Sequence, residues 1–301
     1  MQDYLIGVDA GGTKTTAQAY SLQGEPLAAE TGGFGNLTVH FEQGFANLCE
    51  TIDRLKTKLE GNCVFLCIGC AGIETGGKKE EAARLIRERY PEPAVMTNDA
   101  MLGLYAALEG RDGLLVIAGT GSIGYLKQGG ELRRFGGWGH LINDDGSGYT
   151  IAAKAIRFIA YGFDTNHSET LLKQKVFAHL GIRELRELID FTYRSSKGEL
   201  AALTPIVEQA AEEGDPQAGE ILDWAGERIA YLAIGLCRQY GVENPEIAIS
   251  GSVIRKTARV NKKFRETLLR EIGSFTLHER RFEPTIGAYY LYLEQQNQAG
   301  E

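Results

Sequence analysis

The sequence predicts an α/β protein of two related parts, each built on a mixed sheet. A length of 301 residues corresponds to about two domains of ordinary size. Short apolar segments alternate with segments of helical periodicity over residues 5–108, which is typical of α/β domains. A strand that ends in a glycine turn opens this part, and the same pattern returns from Leu114. The second part therefore repeats the beginning of the first.

Composition argues against several classes of main partner. The hydrophobic content of 43% and charged content of 24% are ordinary for a globular protein. A net charge of −8 argues against nucleic acid or an anionic membrane as the partner, because both require a basic face. No signal-peptide pattern or membrane-length apolar stretch is present, and the five cysteines fit a reducing compartment. We therefore expect a cytoplasmic protein.

The elements of the first part follow from apolar periodicity. The apolar run from Leu5 reaches Asp9 and a Gly-Gly turn, and Thr15, Ala17 and Ala19 begin a return strand, so a hairpin is expected. Helical spacing and apolar runs then predict a third strand at 26–30, a helix at 41–59, a strand at 64–68, a helix at 78–90, a strand at 94–97 and a helix at 100–108.

In the second part, strands are followed mainly by helices. Apolar runs predict strands at 114–118, 123–127, 131–135 and 247–249. Periodicity predicts helices at 148–160, 169–180, 205–213 and 216–239, a basic helical stretch after Ser252, and a closing helix at 284–294.

The first glycine turn is suited to a phosphate. Gly11 and Gly12 have no Cβ, so the backbone can take positive φ and a bulky anion can approach its N–H groups. Asp9 supplies a carboxylate for a hydrated divalent cation. A Walker loop is excluded, because Thr13 separates the second glycine from Lys14 and the next segment has strand character. A hairpin turn without a ligand is the alternative.

Two further strand-to-glycine turns occur at Gly119-Thr120-Gly121-Ser122 and Ser250-Gly251-Ser252. With Gly124 the first of them spells the dinucleotide fingerprint, but Gly129-Gly130 would interrupt the helix that a Rossmann site requires. Together the three turns indicate the phosphate and nucleoside contacts of a nucleotide.

A glycine-rich loop at 136–148 contains Trp138, His140, Asp144 and Asp145. An aromatic face combined with carboxylates suits a sugar ring, and loops of this kind commonly bind ligands. Carbohydrate is therefore a candidate ligand.

Asp99 lies where a strand gives way to a helix. It is a candidate general base for phosphoryl transfer to a hydroxyl group. The alternative is that Asn98 or Asp99 only caps the helix.

The cysteines Cys63, Cys67 and Cys70 fall in or beside one apolar strand, and no second pair of ligands accompanies them. Buried thiols are therefore favoured over a metal site.

Five segments together resemble the N-acetylglucosamine kinase branch of the BadF/BadG/BcrA/BcrD ATPase family, which belongs to the actin, sugar kinase and Hsp70 superfamily. They are Gly7 to Lys14, Thr97 to Ala100, Ala118 to Ser122, Gly136 to Ser147 and Ser250 to Val253. The resemblance implies a two-lobed actin-like ATPase (ribonuclease H-like) fold, with duplicated mixed sheets flanked by helices and a nucleotide cleft between the lobes. Residues 1–110 plus 284–301 would form the N-terminal lobe, and 111–283 the C-terminal lobe.

The resemblance also implies roles for individual residues. The protein would transfer the γ-phosphate of ATP to the 6-hydroxyl of N-acetylglucosamine or a close relative, with Asp99 as the base and Asp9 holding Mg²⁺ through water. The residues implied for ATP are Gly11, Gly12, Thr13, Lys14, Gly119, Thr120, Gly121, Ser122, Gly214, Gly251 and Ser252. Those implied for the amino sugar are Asn36, Asp99, Gly137, Trp138, Gly139 and Asp144. The family also suggests a homodimer.

Several alternatives stay open or are excluded at this point. Asn143-Asp144-Asp145 stands where Gly-Asp-Glu is common in the branch, so a glucosamine or N-acetylmuramic acid kinase remains an alternative. An ATPase activator with an iron–sulfur cluster would need cysteines between Gly119 and Arg157, where the sequence has none. A nucleotide sensor that acts on a protein partner also stays open. The other Gly-Gly-Thr family would show a helix-turn-helix or a cysteine-rich zinc loop, and neither pattern is present.

Overall fold

The structure, a computed structural model of the chain, describes residues 2–38, 40–73, 77–165, 169–279 and 282–299. The chain divides into two compact units, which we call unit 1 (Met1–Asp112 with Arg280–Glu301) and unit 2 (Gly113–Glu279). Each unit contains one five-stranded mixed sheet with helices packed on it. The α/β class is therefore confirmed.

Unit 1 begins with an antiparallel meander and continues with parallel strands. Its sheet has the order β3-β2-β1-β4-β5, in which β1 pairs antiparallel with β2 and parallel with β4. The carboxyl ends of β1, β4 and β5 consequently share one edge of the sheet. The elements are β1 (Tyr4–Ala10), β2 (Thr15–Ser21), β3 (Pro26–Gly32), α1 (Phe41–Lys56), β4 (Cys63–Cys70), α2 (Lys79–Arg89), β5 (Ala94–Thr97) and α3 (Asp99–Leu108).

The central strand β1 is apolar from Leu5 to Val8 because helices cover both faces of the sheet. Ile6 and Val8 pack in one buried cluster with residues of α1 and α2, such as Ile52. Leu5 packs on the opposite face with residues of α3, such as Leu102. This arrangement explains why the sequence shows an uninterrupted apolar run here rather than alternation.

Unit 2 repeats this topology. Its sheet has the order β10-β9-β6-β7-β8, with an antiparallel meander β6-β7-β8 and parallel strands β9 and β10 on the other side of β6. The antiparallel return of β7 confirms that no Rossmann unit begins at Gly119. The strands are β6 (Gly113–Ala118), β7 (Ser122–Gln128), β8 (Glu131–Gly136), β9 (Glu246–Ser250) and β10 (Thr276–His278).

The helices of unit 2 include two that the sequence did not predict, α6 and α7. The strand β10 was also missed, because three residues at a sheet edge are too few to show a period. The helices are α4 (Gly148–Asp164), α5 (Leu171–Leu180), α6 (Leu185–Arg194), α7 (Lys197–Ala201), α8 (Thr204–Glu212), α9 (Pro216–Tyr240), α10 (Ser252–Lys256) and α11 (Ala258–Ile272).

The chain returns to unit 1 through a 3₁₀ turn, Pro284–Ile286, and the helix α12 (Gly287–Ala299). The predicted closing helix at 284–294 therefore begins three residues later, at Gly287, and Gly300 and Glu301 of the predicted N-terminal lobe lie outside the described residues. No helix in the described part of the chain is long and apolar enough to cross a membrane.

Two of the three thiols in β4, Cys67 and Cys70, are buried, as expected, whereas Cys63 is half-buried. Burial raises the pKa of Cys63 and of Cys67 to about 12, and that of Cys70 to about 11. All three side chains are therefore thiols rather than thiolates at neutral pH.

Candidate functional site

Two acidic side chains lie at the carboxyl edge of the sheet of unit 1. Asp9 is the penultimate residue of β1, and Asp99 is the first residue of α3, just beyond β5. The side chain of Asn98 caps this helix, because its Oδ1 accepts a hydrogen bond of 2.6 Å from the backbone N–H of Met101. Since Asn98 satisfies the cap, the carboxylate of Asp99 is left for another role.

The electrostatics of this edge are dominated by negative charge. Burial raises the pKa of Asp9 to about 6, with a further contribution from Asp99 and a smaller one from Glu283, while Lys14 acts in the opposite direction. Burial also raises the pKa of Asp99, although hydrogen bonds from the backbone N–H groups of Ala100 and of Asp99 itself oppose the shift. A concentration of carboxylates in a poorly solvated edge attracts a cation.

The residues at this edge fit a hydrated Mg²⁺. Among the described residues, no group of three or more Asp, Glu, His or Cys side chains could hold a metal ion directly. Mg²⁺ usually keeps several waters and binds through one or two carboxylates and the phosphates of a substrate. Asp9 meets that requirement as a single carboxylate, since a pKa of about 6 leaves it ionised at neutral pH.

The first glycine turn differs from the sequence expectation in its backbone. It connects β1 to β2 and is closed by a hydrogen bond of 3.0 Å from the N–H of Gly11 to the carbonyl of Lys14. Neither Gly11 nor Gly12 adopts positive φ, so the expectation of a left-handed backbone was wrong. A Cβ on Gly12 would meet no atom within 4 Å. The space beside the turn is therefore open, and Thr13 and Lys14 are exposed there.

In unit 2, the second and third glycine turns are packed against each other. Gly251 has φ of +95°, and a Cβ at this position would lie 2.3 Å from the carbonyl oxygen of Ala118. The second turn is also tied to the start of α4, since the N–H of Gly148 donates a 2.8 Å hydrogen bond to the carbonyl of Gly119. The sequence-predicted phosphate and nucleoside turns thus form one surface.

A cavity of about 390 Å³ opens on this surface. Gly119, Thr120 and Ser252 line it, together with residues of α7, α8 and α10 such as Glu208 and Lys256. Gly121 and Ser122 lie just beyond it in the same turn. Gly214 instead lies in the turn before α9 and is not among the lining residues.

The glycine-rich loop after β8 presents an aromatic ring to solvent. The Trp138 side chain is 60% exposed, and the guanidinium of Arg134 stacks on its ring at 3.8 Å from the centroid. Arg134 is fixed in turn by a 2.8 Å hydrogen bond from its Nη2 to the carbonyl of Gly137. The indole is therefore oriented by the protein while most of its surface stays free.

Asp144 has a different environment from the one that the sequence suggested. It is buried, its Oδ1 accepts a 3.2 Å hydrogen bond from the N–H of Gly139, and its Oδ2 pairs with Lys197 Nζ at 2.7 Å. Sequence reasoning missed Lys197. The capping box formed by Ser196 and Glu199 at the start of α7 was the signal that could have placed a helix there.

Asn36 lies in unit 1, in the loop before α1. Its Oδ1 accepts hydrogen bonds from the backbone N–H of Thr38 at 2.9 Å and from the Thr38 hydroxyl at 2.6 Å. These bonds orient the carboxamide with its amino group away from Thr38, where it can donate to a ligand.

Comparison with known proteins agrees with this architecture. The sequence pattern of the BadF/BadG/BcrA/BcrD ATPase family matches residues 6–291. The chain is 32% identical to the N-acetylmuramic acid/N-acetylglucosamine kinase of Clostridium acetobutylicum, over 88% of this chain and 90% of that one. It is 25% identical to the N-acetyl-D-glucosamine kinase of Dictyostelium discoideum, over 97% and 98% of the two chains.

A solved structure from Chromobacterium violaceum, described as a candidate N-acetylglucosamine kinase, superimposes with a TM-score of 0.74. The two sequences are 25% identical, and the superposition covers 96% of this chain and 98% of that chain. The fold is therefore that of the actin-like sugar kinases, as the sequence resemblance implied.

Proposed function

The chain belongs to the BadF/BadG/BcrA/BcrD ATPase family, and on this premise we propose that it transfers the γ-phosphate of ATP to the 6-hydroxyl of N-acetylglucosamine or a close relative. Two curated relatives named for kinases of acetylated amino sugars cover most of the chain. The sugars in both names contain a 2-acetamido hexose. N-acetylmuramic acid carries a lactyl group in addition. The common substrate class is an amino sugar with a free primary hydroxyl.

The observation that carries this proposal is the position of Asp99. Its neighbour Asn98 caps α3, so the Asp99 carboxylate stands at the sheet edge without a capping role. Its raised pKa makes it a better proton acceptor than an ordinary carboxylate, because efficient general bases have pKa values closer to the working pH. Asp99 would take the proton of the sugar 6-hydroxyl while the oxygen–phosphorus bond forms and ADP leaves.

The remaining residues bind and orient. Asp9 would hold Mg²⁺ through water, and the ion when bound would neutralise charge on the phosphates. The turn Gly11 to Lys14 in unit 1 and the turn Gly119 to Ser122 in unit 2 would bind phosphate oxygens. The cavity beside Ser252 would take the nucleoside.

Each unit offers candidate groups for the sugar. Asn36 offers the amino group of its carboxamide, and Trp138 offers an exposed ring face that suits the apolar face of a pyranose. Gly137 and Gly139 shape the backbone beside the indole. Asp144 would fix the conformation of this loop, because its carboxylate accepts hydrogen bonds from the N–H of Gly139 and from Lys197 Nζ.

The test is ADP release from Mg·ATP with a panel of sugars and a no-sugar control. The panel contains N-acetylglucosamine, glucosamine, N-acetylmuramic acid, N-acetylmannosamine and glucose. We expect at least a tenfold stimulation by one acetylated amino sugar, with the phosphate found at position 6 of the product. ADP release that ignores every sugar would overturn the proposal and favour an ATPase that acts on a protein partner.

A further inference from the structure

The ion pair between Lys197 and Asp144 joins two segments of unit 2 that are far apart in the sequence. Lys197 is the first residue of the short helix α7, whose capping box fixes its start. Asp144 lies in the glycine-rich loop after β8. Lys197 Nζ approaches Asp144 Oδ2 to 2.7 Å, which is the distance of a charge-assisted hydrogen bond.

The pair lies directly against the second glycine turn. A Cβ placed on Gly121 would be 2.9 Å from Asp144 Oδ2 and 3.1 Å from Lys197 Nζ. Gly121 does not have positive φ, so the backbone conformation does not require glycine there. A Cβ there would displace the ends of the two paired side chains.

The two partners differ in their access to water. The side chain of Asp144 is only 4% exposed, and that of Lys197 is 33% exposed. A buried carboxylate next to a turn that binds phosphate would repel the phosphate unless a cation neutralises it. Lys197 is the cation within bonding distance of it among the described residues.

We propose that Lys197 is a positioning residue for nucleotide and sugar. Its ammonium neutralises Asp144 beside the second phosphate turn, and through Asp144 it fixes the N–H of Gly139 and hence the loop that carries Trp138. The role in sugar binding rests on the proposed kinase function. The role in nucleotide binding rests only on the position of the ion pair beside the second glycine turn.

Three variants test the proposal, because each should have a different combination of ADP affinity and KM for the sugar. Lys197→Met leaves Asp144 buried and unneutralised, so ADP binding should weaken about tenfold, since removing one partner of a close pair leaves the other charge uncompensated. Asp144→Asn removes the repelling charge, so ADP binding should stay within about twofold of the unmodified protein while the KM for the sugar rises. The double variant Lys197→Met/Asp144→Asn should regain most of the ADP affinity that the single Lys197 variant lost.

The control is an ion pair of the same kind far from the turns. Lys56 pairs with Glu92, and their side chains are 24% and 4% exposed, close to the values for Lys197 and Asp144. Glu92 precedes β5 in unit 1, at the edge of the sheet opposite to Asp9 and Asp99. Lys56→Met should lower thermal stability without changing the dissociation constant of ADP.

The measurement is isothermal titration calorimetry with ADP and Mg²⁺, together with a thermal melt of each variant. Unchanged ADP affinity in Lys197→Met, or a double variant that binds ADP no better than Lys197→Met, would overturn the proposal. If Lys197→Met does not fold, Asp144→Asn and Lys197→Arg decide: each should bind ADP within about twofold of the unmodified protein, and a large loss in either overturns the role.

ADP titration needs no sugar turnover, so its outcome is separate from the outcome of the sugar panel. If the unmodified protein phosphorylates no sugar, the kinase proposal fails while the ADP pattern still tests Lys197. If it phosphorylates an amino sugar but Lys197→Met binds ADP normally, only the inference about Lys197 fails.

Discussion

Replacing Asp9 by asparagine should stabilise the free protein while abolishing its activity. The folded state raises the pKa of Asp9 from 3.8 to about 6, a shift of about 2 units, which corresponds to about 3 kcal/mol. Because this carboxylic acid has a higher pKa when folded, its ionised form is destabilised by folding. The cost is fully present above pH 6, and it is relieved as the pH falls from about 6 towards 4.

The assay is thermal unfolding at pH 8, 7, 6 and 5 without divalent cation or nucleotide. Asp9→Asn should melt several degrees above the unmodified protein at pH 8, because a stabilisation of about 3 kcal/mol is large beside the total stability of a domain. The difference should shrink between pH 6 and 5. Asp190→Asn, an exposed position on α6, is the control and should melt like the unmodified protein.

Two results would refute this reasoning. One is an Asp9→Asn protein that is less stable than the unmodified protein at pH 8, which would mean that the carboxylate accepts favourable bonds in the folded state. The other is a stability difference that does not change with pH. The kinase proposal adds that Asp9→Asn should lose Mg²⁺-dependent transfer, measured as ADP release with the preferred sugar.

Three more outcomes follow from the geometry. Gly251→Ala should raise the KM for ATP at least tenfold, because a Cβ at φ +95° would stand 2.3 Å from the Ala118 carbonyl oxygen; an unchanged KM in steady-state kinetics contradicts the packing of the two turns. Asn98→Ala should cost about 1 kcal/mol of stability in denaturant unfolding and lower kcat, whereas Asn98→Asp should keep the stability and the kcat of the unmodified protein. The same stability and kcat in both variants would exclude the capping role of Asn98. Trp138→Ala should raise the KM for the sugar about fivefold with little change for ATP, since ring stacking contributes of the order of 1 kcal/mol, and an effect on ATP alone would remove Trp138 from the sugar site.

Much of the fold could be predicted from the sequence because its signals are local. The run from Leu5 to Val8 is apolar on both faces of β1, and the glycine turn that follows is a strong break, so the strand and its hairpin could be located without any long-range information. The same pattern at Leu114 indicated the duplication, which the equivalent strand orders of the two sheets confirm.

The candidate site was harder to predict from the sequence, because its details depend on contacts between residues that are distant in the sequence. Asp144 and Lys197 are 53 residues apart in the sequence, and no period or motif links them. The closeness of that pair to Gly121 could not be predicted from the turn sequence. Local sequence likewise left Asn98 and Asp99 as equivalent caps, and only the hydrogen bond to Met101 distinguishes them.

The measurement that bears most directly on the central claim compares Asp99→Asn with the unmodified protein. Sugar phosphorylation is followed with the preferred sugar of the panel, and ADP binding is followed by calorimetry on the same preparations. We expect kcat to fall about 1000-fold, within the range for loss of a general base, while the dissociation constant of ADP changes less than about twofold. Unchanged transfer by Asp99→Asn would show that Asp99 is not the base and would contradict the account.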